Sequence, residues 1–236
     1  METSRLEVGR REILTAGASL LIGLSSQPVQ AQEKKTPPLD ADAGVTAPED
    51  LMKEHGVLNR CLLIYEEGLH QLNSHADISP EVFLHTANLV KKFVEEYHEK
   101  NEEKYIFPVF IQHRKLVDLV ETLKTQHIVG RKVTARILHL SQPDLFRKSE
   151  NRAQLIHHCQ QFIRLYRPHE AREDTVLFPA LRTLLTPKQV EELGARMEGD
   201  EHKVLGDEGF EKSVAQVEAI ERLLGIYDLK QFTPKL

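Results

Sequence analysis

The sequence predicts an all-α protein of antiparallel helices, and three observations support this fold class. Apolar residues recur every three or four positions in each long segment after residue 48, which is the spacing of one face of a helix. Several of these segments open with Ser or Thr followed by Pro, a helix start signal. No stretch shows the apolar-polar alternation of a strand. The 236 residues are 40% hydrophobic, which is enough for one sizeable core.

The N-terminal residues 1–31 are typical of an export signal. Arg10 and Arg11 precede a short apolar stretch, and small residues at Val29 and Ala31 predict cleavage after Ala31. The run GRREILT resembles a twin-arginine signal, which would carry the folded protein to the periplasm. An uncleaved N-terminal anchor is the alternative. Residues 32–48 are polar and contain Pro, which predicts a linker before a domain of residues 49–225.

The helices of this domain follow from their start and stop signals. The first opens with a capping box at Thr46 and Glu49 and ends near residues 73–76. The second opens at Ser79, and Pro108 should kink or stop it. The third covers roughly 115–140, the fourth contains Pro168, and two further helices cover about 187–205 and 210–225.

A motif of histidine and glutamate occurs twice in the chain. Residues 97–110 are YHEKNEEKYIFPVF, and residues 168–181 are PHEAREDTVLFPAL, so His98 and Glu102 recur 71 positions later as His169 and Glu173. Each His-x3-Glu pair follows a lone histidine, His55 or His127, by 43 or 42 residues. Positions i and i+4 share a helix face, so each imidazole and carboxylate should converge on one point.

The four histidines should also lie at one level of the domain. His55 lies about as far before the first inter-helix turn as His98 lies after it, and His127 follows the next turn at a matching distance. The agreement at His169 is only approximate. Buried glutamates need a partner, and a metal ion supplies one. We therefore expect a dinuclear site, and imidazole and carboxylate donors without thiolate favour iron or manganese over structural zinc.

These residues resemble the hemerythrin-like, HHE cation-binding proteins, in which Phe-Pro also typically follows each pair, here at 107–108 and 178–179. The resemblance covers about residues 49–205. It implies an up-down-up-down four-helix bundle around two iron ions, with Glu102 and Glu173 as bridging carboxylates and the histidines capping the irons. Founding members carry His-x3-His on the third helix, whereas here Arg131 occupies the position four residues after His127. This difference leaves one histidine missing and argues against reversible carriage of O2.

His202 is the first candidate for the missing histidine, because it lies at the same level as His169 beyond the turn at Thr186. His70 and His75 are the alternatives. Glu99 and Glu170 adjoin the ligands, as hydrogen-bonding partners of the ligands or as part of a solvated helix face.

The composition limits the remaining functions. A net charge of −5 argues against a nucleic-acid partner, and no apolar run is long enough for a stable membrane span after signal cleavage. Cys61 and Cys159 lie in apolar helical patterns, so buried free thiols are expected rather than a disulfide. The sequence thus indicates an exported di-iron protein that handles O2, NO or peroxide. An iron-binding, sensing or storage protein and an iron-centre repair protein are the alternatives, and whether the protein is an enzyme stays open.

Overall fold

The computed structural model describes residues 46–74 and 76–235, and it confirms the all-α prediction. No strand occurs in these two ranges. The predicted export signal and most of the predicted linker lie outside the described residues. The last linker residues, 46–48, instead form the cap and first turn of the first helix.

Seven helices follow one another in the described part of the chain. Helix α1 is Ala47–Asn73, and α2 spans residues 80–112. Helix α3 is Val117–Leu140, the short α4 is Pro143–Phe146, and α5 spans residues 149–184. Helices α6 (Pro187–Leu205) and α7 (Gly209–Leu224) follow, and a 3-10 turn, Leu229–Phe232, comes last. None of the described helices combines the length and the apolar character needed to cross a membrane.

The helix starts follow the predicted capping chemistry. The backbone N–H of Thr46 donates to Oε2 of Glu49 at 2.9 Å, which forms the capping box of α1. The hydroxyl of Ser79 accepts a hydrogen bond from the N–H of Glu81 at the start of α2. Thr186 and Gln189 form the same kind of box at α6. Satisfying these otherwise unpaired N–H groups stabilises each helix by about 1 kcal/mol.

Helices α2 and α5 contain wide π-helical turns. In α2 these turns are Val90–His98 and Glu102–Ile106, and in α5 the turn is Glu173–Leu177. The turn before each Phe-Pro sequence closes with a bond from residue i+5 to i, from Phe107 N–H to the carbonyl of Glu102 and from Phe178 N–H to that of Glu173. Of the two effects predicted for Pro108, a stop is excluded, because the helix continues to Gln112 after the wide turn that precedes the proline.

Helices α1, α2, α3 and α5 form the predicted antiparallel bundle. Contacts join α1 to α2, α2 to α3, α3 to α5 and α5 to α1, which closes a ring of four. The bundle encloses two apolar clusters. One contains residues 57–69 of α1 and residues 155–166 of α5, and the other contains Leu51 of α1 and residues 177–181 of α5. On each of these four helices, the predicted ligands lie between the two clusters.

The C-terminal helices pack on the outside of this bundle. Helix α6 buries Leu193 and Met197 in the second cluster, and α7 buries Val217 and Ile220 in the first. Both helices contact α1 and α2. Cys61 and Cys159 are free thiols buried in the first cluster, as expected.

Candidate metal centre

Six side chains from the four bundle helices meet between the two apolar clusters. None of the six is more than 3% exposed. They are His55, His98, Glu102, His127, His169 and Glu173. Helices α2 and α5 each supply a His-x3-Glu pair at a junction with a π-helical turn, a distortion that is frequent at functional sites.

The four imidazoles form two pairs. Nε2 of His55 lies 3.1 Å from Nε2 of His98, and this is the first pair. Nε2 of His127 lies 3.2 Å from Nε2 of His169, and this is the second pair. Each pair therefore directs two nitrogens toward one point inside the bundle.

The two carboxylates connect these pairs. Oε2 of Glu173 lies 3.4 Å from Nε2 of His55 and 3.1 Å from Nε2 of His169. Oε2 of Glu102 lies 3.7 Å from Nε2 of His98 and 3.4 Å from Nε2 of His127. Each glutamate thus reaches one histidine of each pair, which is the arrangement of a carboxylate that bridges two metal ions.

The carboxylates of Glu102 and Glu173 fit a metal ion better than they fit an empty core. Both are fully buried, and none of their four oxygens has a hydrogen-bond partner. A buried carboxylate without a partner costs several kcal/mol. Burial and the nearby Glu173 carboxylate raise the pKa of Glu102. Cations between these groups would remove both the desolvation cost and the repulsion.

An oxygen atom lies beside the outer nitrogen, Nδ1, of every histidine in the centre. For His55 it is Asp174 Oδ1 at 2.7 Å, and for His98 it is Glu54 Oε2 at 2.6 Å. For His127 it is Glu103 Oε1 at 3.2 Å, and for His169 it is Gln126 Oε1 at 2.9 Å. These four outer partners would hold a proton on Nδ1 and leave the lone pair of Nε2 free for a metal.

The two Phe-Pro sequences cover the centre from the side of the second cluster. The ring of Phe107 stacks on His127 with centroids 5.5 Å apart, and the ring of Phe178 stacks on His55 at 5.7 Å. Each ring comes from the helix that supplies a bridging glutamate. The duplicated motif therefore provides a ligand and an apolar wall together.

Comparisons with known proteins agree with this geometry. The chain is 41% identical over 242 residues to the uncharacterized proteins Mb2018 of Mycobacterium bovis and Rv1995 of Mycobacterium tuberculosis, with 99% of this chain and 94% of each relative aligned. The chain belongs to the family of these mycobacterial proteins. Its residues 118–225 match the model of the hemerythrin HHE cation binding domain, a span that contains His127, His169 and Glu173. No solved structure shows a significant match to the chain.

The structure does not bring the seventh predicted ligand, His202, to the centre. Its side chain is 57% exposed and bonds Asp207 through Nδ1 at 3.1 Å. Helix α6 turns Leu193 and Met197 inward, and His202 lies off the face that these two residues define. Of the alternatives, His70 is exposed, and His75 lies outside the described residues.

Glu99 and Glu170 are both buried, which excludes the solvated helix face, but neither forms a hydrogen bond to a candidate ligand within the described residues. Glu99 accepts a hydrogen bond from the hydroxyl of Tyr166 at 2.6 Å and lies 2.7 Å from the guanidinium of Arg131. Burial raises the pKa of Glu99 to about 8. Arg131, which occupies the position of the missing histidine, is therefore not a metal ligand. It contacts carboxylates beside the second pair.

The outer partners of the histidines were not predicted from the sequence, although the sequence contains a signal for them. Glu54 and Gln126 each precede a lone histidine, and Glu103 and Asp174 each follow a bridging glutamate. The duplicated pattern therefore includes, besides the candidate ligands, the neighbouring residues that orient them.

Proposed function

We propose that the protein binds two iron ions side by side in the centre of the bundle. The first pair would hold one ion and the second pair the other, and Glu102 and Glu173 would bridge the two. The four unpaired, buried carboxylate oxygens between the pairs are the observation that carries this proposal. The ligand set contains only nitrogen and oxygen donors, which suit iron, and the cation-binding domain match supports the same class of site.

The same centre is suited to bind a small ligand such as O2, NO or peroxide. Two imidazoles and two bridging carboxylates give each ion four protein donors, fewer than the six of an octahedral site. Iron with an exchangeable position supplies redox chemistry toward such ligands. The residues of the chain orient the imidazoles through the outer partners, and Phe107 and Phe178 keep water from one side.

The metal proposal is tested by elemental analysis of protein that has been expressed natively. We expect two iron ions per chain. One zinc ion per chain and no iron would overturn the proposal. The variant His139→Ala changes an exposed helical histidine outside the centre and is the control for nonspecific loss of metal.

The ligand proposal is tested by the optical spectrum of the reduced protein during exposure to O2 or NO. We expect a change in the charge-transfer bands with at least one of the two gases. An unchanged spectrum with both gases and with iron still bound would instead favour an iron-binding, sensing or storage protein. Transfer of iron to a damaged iron protein would favour the repair role.

We propose in addition that the protein is exported to the periplasm as a folded chain, with cleavage after Ala31. The support is the pair Arg10 and Arg11 before a weakly apolar stretch. Replacing both arginines with Lys should retain the precursor in the cytoplasm while keeping the positive charge. If the mature form still accumulates outside the cytoplasm at its normal level, the twin-arginine assignment is wrong.

A further inference from the structure

The two halves of the centre share the same ligands but differ in the groups that surround them. Both histidines of the first pair place Nδ1 against a carboxylate, Asp174 for His55 and Glu54 for His98. In the second pair, only His127 meets a carboxylate, because His169 meets the amide of Gln126. Glu54 and Gln126 occupy the same place in the repeat, directly before a lone histidine.

Glu54 is placed to accept two hydrogen bonds once a metal ion binds His98. Its Oε1 accepts the hydroxyl proton of Tyr97 at 2.8 Å, and its Oε2 lies 2.6 Å from Nδ1 of His98. When Nε2 of His98 binds a metal, Nδ1 carries the proton and donates it, so both oxygens of Glu54 accept. The oxygen of Gln126 also accepts a hydrogen bond, but its amide is neutral.

A guanidinium group adds to this difference. Arg131 lies 2.6 Å from the Glu103 carboxylate and 2.7 Å from the Glu99 carboxylate on the side of the second pair. The equivalent residue on α1, four positions after the lone histidine, is Asn59, whose amide donates to the backbone oxygen of His55. Arg131 therefore neutralises negative charge beside one pair only.

The first pair has no equivalent cation. The carboxylates of Asp174 and Glu54 contact this pair, and the buried Glu170, whose Oε2 has no hydrogen-bond partner, interacts electrostatically with His55. Within residues 46–74 and 76–235, no lysine or arginine nitrogen lies within 4.0 Å of these three carboxylates. The first pair therefore has a carboxylate beside each histidine and, among the described residues, no lysine or arginine within 4.0 Å of either carboxylate, whereas the second pair has one such carboxylate, which Arg131 contacts.

We propose that the two metal positions are unequal, so that the first pair holds the more oxidised iron and the second pair is reduced first. A carboxylate that accepts a proton from a ligand imidazole makes that imidazole a stronger donor, which favours Fe(III) over Fe(II). Nearby negative charge acts in the same direction. Glu54 and Gln126 are the positioning residues that set the difference. The inference rests on the proposed two-iron centre.

The test uses a reciprocal pair of variants, Glu54→Gln and Gln126→Glu, each of which changes one charge at nearly constant size. Iron-loaded protein is titrated with a chemical reductant and redox mediators, and Mössbauer spectra follow the two irons. Wild type should show two separate one-electron steps and two distinct iron signals. Glu54→Gln should raise the lower potential, and Gln126→Glu should lower the higher one, so each variant brings the two steps together.

Chelator competition provides a second measurement. Partner residues of this kind change metal affinity about 10–100-fold, so the wild-type protein should release its two Fe(III) ions at clearly different chelator concentrations. Each variant should bring the two release steps closer. His139→Ala, which changes an exposed histidine outside the centre, is the control. It should keep both steps apart.

The outcomes separate this inference from the proposed function. Two irons in wild type with one unresolved reduction step and equivalent signals would overturn the inequality and leave the di-iron centre intact. Two separate steps that shift in the same direction in both variants, or that do not shift, would overturn the roles of Glu54 and Gln126. Wild type without two irons would overturn the proposed function itself.

Discussion

The two copies of the internal repeat are identical at the candidate ligands of the metal centre and different at the residues that surround them. Each ligand of the first half has a chemically identical counterpart in the second, at an offset of 72 residues between α1 and α3 and of 71 between α2 and α5. The surrounding positions have diverged. At these offsets the counterparts are Glu54 and Gln126, Leu58 and Gly130, Asn59 and Arg131, and Glu95 and Tyr166. In the proposed di-iron centre, equal ligands would hold the two ions, and the different groups around the ligands would make the two positions unequal.

The largest expected effect tests whether the two glutamates of the centre are equivalent. Glu102→Ala and Glu173→Ala should behave alike, because each removes a carboxylate that reaches a histidine of both pairs. Iron content should fall at both positions in each variant, as measured by elemental analysis. A normal count of two irons in either variant would mean that the repeat serves packing and not metal binding.

The second prediction concerns the pH dependence of the metal-free protein. Burial raises the pKa of Glu54 and of Glu99 to about 8, so the folded state binds protons that the unfolded state has released. Although burial alone would lower it, the hydrogen bond to Asp174 and the nearby Glu173 carboxylate raise the pKa of His55 to about 10. All three shifts contribute stability that is present at low pH and is lost as the pH rises through the folded-state pKa.

Between pH 6.5 and 8, the free energy of unfolding of the metal-free protein should therefore fall, by roughly 1–2 kcal/mol for each such group. Urea titrations at several pH values measure this slope. Glu54→Gln should reduce it, whereas Gln126→Ala should leave it unchanged because the amide does not titrate. Stability that rises with pH over this window would contradict the prediction.

The third prediction concerns a divergent packing contact, Gly130 against Tyr166. A Cβ at position 130 would lie 2.0 Å from the hydroxyl oxygen of Tyr166, so Gly130→Ala must displace the ring and break its hydrogen bond to Glu99. We expect a loss of about 1–3 kcal/mol in the free energy of unfolding. Gly56→Ala is the matched control, since no atom lies within 4 Å of the added methyl group. It should stabilise α1 by about 0.5–1 kcal/mol. Equal gains in both variants would show that the contact with Tyr166 does not constrain α3.

The smallest effect is expected for His202, which lies outside the centre. His202→Ala should leave the iron content unchanged and alter the free energy of unfolding by no more than about 0.5 kcal/mol, because the side chain is largely exposed. The optical spectrum of the iron-loaded variant measures any role as a ligand. A loss of one iron would restore His202 as the fifth histidine and would imply a rearrangement of α6.

The sequence was sufficient to predict the helices and the level of the ligands along them. Capping residues such as Thr46 act locally, and the number of residues from a turn determines how far along the bundle a side chain lies. The same count misplaced His202, because it specifies a height and not a direction around the helix. The direction of α6 follows from the burial of Leu193 and Met197 against helices far away in the sequence.

Other features depended on contacts that no local pattern reports. The π-helical turns before Pro108 and Pro179 depart from the spacing of 3.6 residues on which periodicity arguments rest. Glu99 could not be assigned to the interior because its partner Tyr166 is 67 residues away. The outer partners, by contrast, lie next to the ligands in sequence, and Glu103 and Asp174 occupy matching positions in the two copies of the motif.

The crossed contacts between the two halves have a consequence for when the centre can form during synthesis. His55 takes its outer partner, Asp174, from a point 119 residues later in the chain, and Glu173 reaches the same histidine. A nascent chain therefore has no complete centre until residue 174 has left the ribosome and α5 has docked against α1. Such non-local contacts form late in folding. A complete set of metal donors therefore exists only after the chain has folded, and a protein exported in the folded state would carry the assembled centre out of the cytoplasm.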